Sequence, residues 1–128
     1  MTRIQRDALI GALAAIVIIW LIHFTPEFGG QVVFGALLGW AGGIGAGTVF
    51  TRSEPRWVAA ELAVSAGLLC LAWIGLFGNP KWLAAGYLIH GVWAVLQPRL
   101  AQTEAPDWLA PLSAAFDAVV VVWILWKV

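Results

Sequence analysis

The sequence predicts an all-α membrane protein: a compact bundle of five transmembrane helices, residues 1–128 forming one domain, with the N-terminus cytoplasmic and the C-terminus outside. Three observations carry that prediction. The 128 residues are 62% hydrophobic and only 11% charged, less than half the roughly 25% charged residues of an average soluble domain. Five apolar stretches reach or approach the roughly 17–25 residues that cross a hydrocarbon core about 30 Å thick. The Lys and Arg residues are also shared unevenly between alternate links, the usual sign of orientation. A water-soluble globule of this composition would expose large apolar patches, which excludes soluble enzymes, nucleic-acid binders and disordered chains. A net charge of zero offers no long-range field for a polyanionic partner. Cys70 is the single cysteine and cannot form an internal disulfide.

The predicted helices cover residues 8–24, 32–50, 57–77, 82–97 and 108–126. Arg3 and Arg6 precede the first. Its apolar run is longer than the roughly 7–15 residues of a signal peptide, and no small-x-small cleavage site follows, so it reads as an uncleaved helix. The fourth is short and carries Gly86, Tyr87, His90, Gly91 and Gln97, so a four-helix bundle with this segment re-entrant stays open. Pro55-Arg56-Trp57 opens the third helix, Pro80-Lys81-Trp82 the fourth and Pro106-Asp107-Trp108 the fifth. Proline stops the preceding helix from continuing, a charge keeps the link in water, and tryptophan sits at the headgroup boundary. With the N-terminus inside, the cytoplasmic side holds Arg3, Arg6, Arg52, Arg56 and Arg99, and the other side only Lys81 and Lys127.

Helices in a bilayer associate through close packing and hydrogen bonds rather than through hydrophobic burial. On the second helix Gly35, Gly39, Gly43 and Gly47 recur every fourth residue, and Gly42, Gly45 and Ala46 widen the small face. This predicts one nearly continuous groove, filled either by a helix of the same chain, with Gly11 and Ala15 of the first helix as one candidate, or by another protein.

Of the acidic residues, Asp7, Glu27, Glu54, Glu104 and Asp107 fall in tails, links or helix ends, whereas Glu61 and Asp117 lie inside apolar segments. An acidic group near the bilayer centre costs about 2.5–3.5 kcal/mol even on the lenient insertion scale, so it faces the bundle interior and has partners. Glu61 and Ser65 share one helix face, Gly86, His90, Trp93 and Gln97 another, and Ser113 and Asp117 a third. At 1.5 Å per residue Glu61 lies about 6 Å below Trp57, while His90 and Asp117 both come close to the midplane. A polar track from the cytoplasmic surface to mid-membrane follows. The plainer alternative is packing glue, worth about 0.6 kcal/mol per bond, and Ser65, Gln97 and Ser113 suit it; a Glu, a His and an Asp together exceed it. His23 and His90 differ in depth by about 10 Å, too much for both to ligate one haem iron. A single-histidine haem or pigment site at His90 stays open, but no cofactor is required and no metal site is expected. No Walker, Rossmann, zinc-ligand or nucleophile-elbow pattern is present.

Three stretches, Trp57-Val58-Ala59-Ala60-Glu61-Leu62, Trp82 to Trp93 with its His-x-x-Trp, and Phe116-Asp117, resemble a family of small, uncharacterised multi-pass bacterial membrane proteins. The resemblance covers a little over half the chain, from Trp57 onward. It implies residence in a bacterial cytoplasmic (inner) membrane and a shared polar cluster of Glu61, His90, Trp93 and Asp117, and it implies no activity. Ala94 stands where the pattern has aspartate, and Gln97 or its neighbours where a further histidine is frequent. A metal or proton site needing those groups would be weakened here.

The residues thus point to a protein that binds or relays a proton or small polar ligand, with Glu61 at the cytoplasmic mouth, Asp117 setting the charge state of His90, and Trp93 walling the site. A second reading is an accessory or structural subunit of a larger membrane complex, or a homo-oligomer, docked through the glycine face. A third is an intramembrane enzyme using His90 as general base and Asp117 as its orienting acid, although no nucleophile accompanies them.

Overall fold

The computed structural model describes residues 1–47, 54–101 and 106–127. Five helices account for nearly all of them: α1 (Arg3–Ile22), α2 (Gly29–Gly47), α3 (Pro55–Phe77), α4 (Lys81–Ala101) and α5 (Leu109–Lys127). There is no strand among the described residues. The helices α1, α3 and α5 are long and apolar enough to cross a membrane, while eight glycines and Gln31 dilute α2. Phe50, the expected end of the second helix, and Arg52 lie outside the described residues.

The largest departures from the expected bounds are at the start of α1 and the end of α4. Thr2 and Gln5 form a reciprocal capping box, Thr2 Oγ1 accepting from the Gln5 N–H at 3.2 Å and Gln5 Oε1 from the Thr2 N–H at 2.8 Å. Two otherwise orphaned donors are satisfied, so α1 starts at Arg3 rather than residue 8 and takes in Asp7. Asp7, expected in a tail or at a helix end, thus lies within the early turns of α1 and is only 4% exposed. At the other site, α4 passes through Pro98 and ends at Ala101. Proline there removes one backbone hydrogen bond without ending the helix.

The helices pack in the order α1, α5, α4, α3, α2, with α2 also leaning on α4 and touching α1 to close the bundle. Gln31 at the start of α2 donates through Nε2 to the Gly75 and Leu76 carbonyls at 2.6 and 3.0 Å. It thereby satisfies acceptors that a helix C-terminus leaves unpaired and pins α2 antiparallel to α3. The two outer helices of the sequence, α1 and α5, run parallel. Gly11 lies so close to the Leu112 carbonyl that no Cβ would fit between them. Gly75 similarly receives the Leu83 side chain where α3 meets α4. The core centres on Phe34, Leu38, Leu83 and Val120, all fully buried. The Tyr87 hydroxyl donates to the Phe34 carbonyl at 2.6 Å, and the Phe34 ring meets those of Tyr87 and Trp123 at 5.9 and 5.4 Å. Trp40, Trp73, Phe77, Val122 and Trp126 are exposed on the periphery, an apolar jacket that suggests membrane association.

The glycine face of α2 differs from the expected straight groove. A Cβ at Gly35 would lie 3.2 Å from Leu76, and one at Gly42 3.1 Å from Leu69, whereas at Gly39 the nearest atom is Ala72 Cβ at 3.9 Å. Gly43 and Gly47 have nothing within 4 Å among the described residues. The reason is geometric: each four-residue step overshoots a turn by about 40°, so three steps swing Gly47 about 120° away from Gly35. The contact face against α3 follows Gly35, Gly42 and Gly45 instead, while Leu38 packs on Gly86 of α4; α1 does not fill it.

Leucine at Gly11 or Gly75 should therefore force helices apart and destabilise by about 1–3 kcal/mol or more, whereas Gly43→Leu should stay within about 0.5 kcal/mol. Unfolding of the helical signal in mild detergent distinguishes the two classes.

Candidate functional site

Each polar stripe expected on α3, α4 and α5 faces a partner. His90 Nδ1 lies 2.7 Å from Asp117 Oδ2, joining α4 to α5. Gln97 Nε2 donates to Glu61 Oε2 at 2.8 Å, joining α4 to α3. The two pairs are seven residues apart on α4, which is two turns or about 10.5 Å. Asp117 and Glu61 are 3% and 4% exposed, as expected of acidic groups that an apolar bundle must shield.

The imidazole geometry follows from the inventory of donors. An ionised carboxylate only accepts, so with Asp117 ionised His90 Nδ1 carries the hydrogen and Nε2 keeps its lone pair. Nε2 has no hydrogen-bond partner among the described residues, and a quarter of the His90 side chain is exposed. Gly91, the next residue on α4, makes the approach possible: a Cβ there would lie 3.3 Å from both Asp117 Cβ and Oδ2. Sequence spacing alone did not mark Gly91 as part of the site.

At the other pair, the end of α2 closes over α3. A Cβ at Gly45 would lie 3.2 Å from Glu61 Oε1 and closer still to Ser65 Oγ. Ser65 is buried beneath it. Trp93 stands on α4 between the two pairs, three residues from His90 and four from Gln97. Its indole Nε1 is the one buried side-chain nitrogen or oxygen without a partner among the described residues. A buried orphan donor calls for an acceptor such as a water or a ligand oxygen. Ser113 is half-buried one turn from Asp117 and makes no side-chain hydrogen bond among the described residues.

Three polar residues outside the expected set are also fixed by the fold. Asp7 Oδ1 accepts from Arg6 Nε and Nη2 at 3.1 and 2.9 Å. It heads a buried stripe of Asp7, Gly11, Ala15 and Ile22 on α1; the Thr2-x-x-Gln5 motif was the signal that would have revealed it. Tyr87 and Gln31 hold backbone carbonyls of neighbouring helices, and nothing in their spacing announces those partners. His23 sits at the far end of α1, its Nδ1 2.8 Å from the Ile19 carbonyl. It lines a cavity of about 620 Å³ with Glu27, Gln31 and Lys127, separate from His90. No group of three His, Cys, Asp or Glu side chains among the described residues could hold a metal ion.

Residues 6–128 match a family of unknown function, DUF6010. The chain belongs to this family. The DUF6010 match carries the resemblance seen from Trp57 onward back through α1 and α2, so the buried Asp7 lies within the shared region. No curated protein and no solved structure matches the chain.

Replacing His90 by Phe should leave the Asp117 carboxyl without its partner and cost about 1–3 kcal/mol. Adding Asp117→Leu should recover much of that loss. A double-mutant cycle on unfolding in detergent should thus return a coupling of about 0.5–3 kcal/mol, and zero coupling would contradict the pairing.

Proposed function

We propose that this is an integral membrane protein that binds or relays a proton or small polar ligand through Glu61, His90, Trp93 and Asp117, with Ser65, Gln97 and Ser113 in support. The observation that carries the reading is the contact of 2.7 Å between His90 and a carboxylate that is almost wholly buried. Histidine changes charge near neutral pH, and a carboxylate on Nδ1 orients the ring so that Nε2 exchanges the proton or meets the ligand. Glu61, held by Gln97 two turns along α4, is the entry group, and the orphan Trp93 N–H between the pairs supplies a donor to whatever bridges them.

In this reading all five helices cross the cytoplasmic membrane of a bacterium, with the N-terminus inside and the C-terminus outside. Arg3, Arg6, Arg56 and Arg99 gather at one end of the bundle and Lys81 and Lys127 at the other, the distribution that sets orientation. Glu61 then faces the cytoplasm and the cavity near His23 faces out.

A second reading, an accessory subunit or homo-oligomer docked through α2, is favoured by the open surface at Gly43 and Gly47 beside the exposed Trp40. Gly43→Leu should then release the protein from complexes on native gels; a monodisperse parent in mild detergent argues against it.

In proteoliposomes loaded with a pH-sensitive dye, His90→Ala and Asp117→Asn should lower proton flux at least about tenfold, the scale of lost acid–base function, with helical content unchanged. Flux equal to the parent in both variants removes the relay. A C-terminal alkaline phosphatase fusion should be active and a C-terminal green fluorescent protein fusion dark; the reverse pattern would overturn the proposed orientation, leaving either an even number of crossings or an inverted bundle.

A further inference from the structure

We infer that the crevice between α4 and α5 is a binding site for a neutral, single-chain lipid whose polar end is a hydroxyl, anchored by its O–H on Asp117. The crevice has a volume of about 520 Å³, within the roughly 300–1,000 Å³ of small-molecule sites. Leu88, Val92 and Leu96 of α4 and Ala118 and Val122 of α5 form its walls, and Asp117 lies at its floor. Those wall residues are also exposed on the outer surface of the bundle. The mouth therefore opens sideways through an apolar face, and an occupant enters from lipid rather than from water.

The polar inventory of the slot is short. Tyr87 lines it, but the Tyr87 hydroxyl is already spent on the Phe34 carbonyl. Asp117 Oδ2 is engaged by His90, and Oδ1 has no hydrogen-bond partner among the described residues. Asp117 is thus the one lining residue of an otherwise apolar slot that keeps a carboxyl oxygen without a described partner, and an acceptor selects a donor. Gly91 keeps the approach clear, since any side chain there would crowd the carboxyl.

Chemistry narrows the occupant. With Asp117 ionised, a fatty-acid carboxylate or a phosphate headgroup would meet a like charge there. A cationic head would have to be stripped of water to reach a site between helices, a cost of several kcal/mol per ion. A hydroxyl loses little on leaving water and regains it as a charge-assisted hydrogen bond, while a single chain lies along the groove. This inference rests on the reading of Asp117 as a ligand-binding group and not on proton flux.

The test uses the full-length protein in phosphatidylcholine nanodiscs and a hexadecanol analogue with a mid-chain diazirine. Irradiation should label peptides within residues 88–96 and 114–122. Unlabelled hexadecanol should compete, and hexadecyl methyl ether, which lacks the donor, should compete at least about tenfold less well. Ala118→Trp, which fills the groove from its exposed wall, should lower labelling by a similar factor at unchanged unfolding temperature. Equal competition by alcohol and ether, or label spread evenly over every exposed helix face, overturns the site. Flux measured in alcohol-free vesicles separates the two ideas: flux without specific labelling removes this site and leaves the relay, and specific labelling without flux supports the site and removes the relay.

Discussion

An acidic side chain inside an apolar bundle has to find a partner, and the arrangement of this molecule follows from where two such partners are found. Glu61 on α3 and Asp117 on α5 both turn toward α4, to Gln97 and His90. Because the two partners lie seven residues apart on one helix, satisfying both fixes the rotation of α4 about its axis and its position between its neighbours. An unpaired buried carboxylate is costly to keep, so the pairs act as register marks in a core that otherwise offers little directional preference. The polar site and the packing specificity are therefore the same set of contacts.

Glycines allow those contacts to close. Gly91 lets Asp117 approach α4, Gly11 lets α1 lie against α5, and Gly75 accepts Leu83. Gln31 and Tyr87 add hydrogen bonds to carbonyls of other helices, and the buried Tyr87 hydroxyl would otherwise lack a partner. A bundle held in this way has no need of a large contrast between inside and outside. Its periphery is as apolar as its core, in keeping with association by packing and hydrogen bonds in a membrane.

The two ends of the bundle differ in kind. One gathers Arg3, Arg6, Arg56, Arg99, Glu61, Gln97 and Asp7. The other carries Lys81, Lys127 and the cavity bounded by His23, Glu27 and Gln31. The His90–Asp117 pair lies between them, next to the crevice that opens through the side of the bundle. Gln97, which holds Glu61, lies two turns from His90 along α4, and the crevice is lined by apolar residues and Asp117. Membership of DUF6010 adds a shared family to this picture and no activity.

Composition and periodicity by themselves determined that the chain is all-helical, that its helices are apolar, and that Glu61, His90 and Asp117 stand apart from its other polar groups. Those conclusions need only one-dimensional quantities: charge density, the length of apolar runs and the helical repeat. Spacing also placed Trp93 and Gln97 on the His90 face and brought His90 and Asp117 to similar depth. Only the tertiary structure decided which glycines of α2 meet a neighbour, because the drift of a four-residue repeat around a helix matters only once the partner's direction is known. It also decided that Asp7 is buried, since that depends on α5 lying against the first turns of α1. It set Gly91 against Asp117, placed Asp117 in the lining of a crevice between α4 and α5, and buried the Trp93 N–H without a described partner. Each of these is a relation between helices, and a sequence records such a relation only through the residues that permit it.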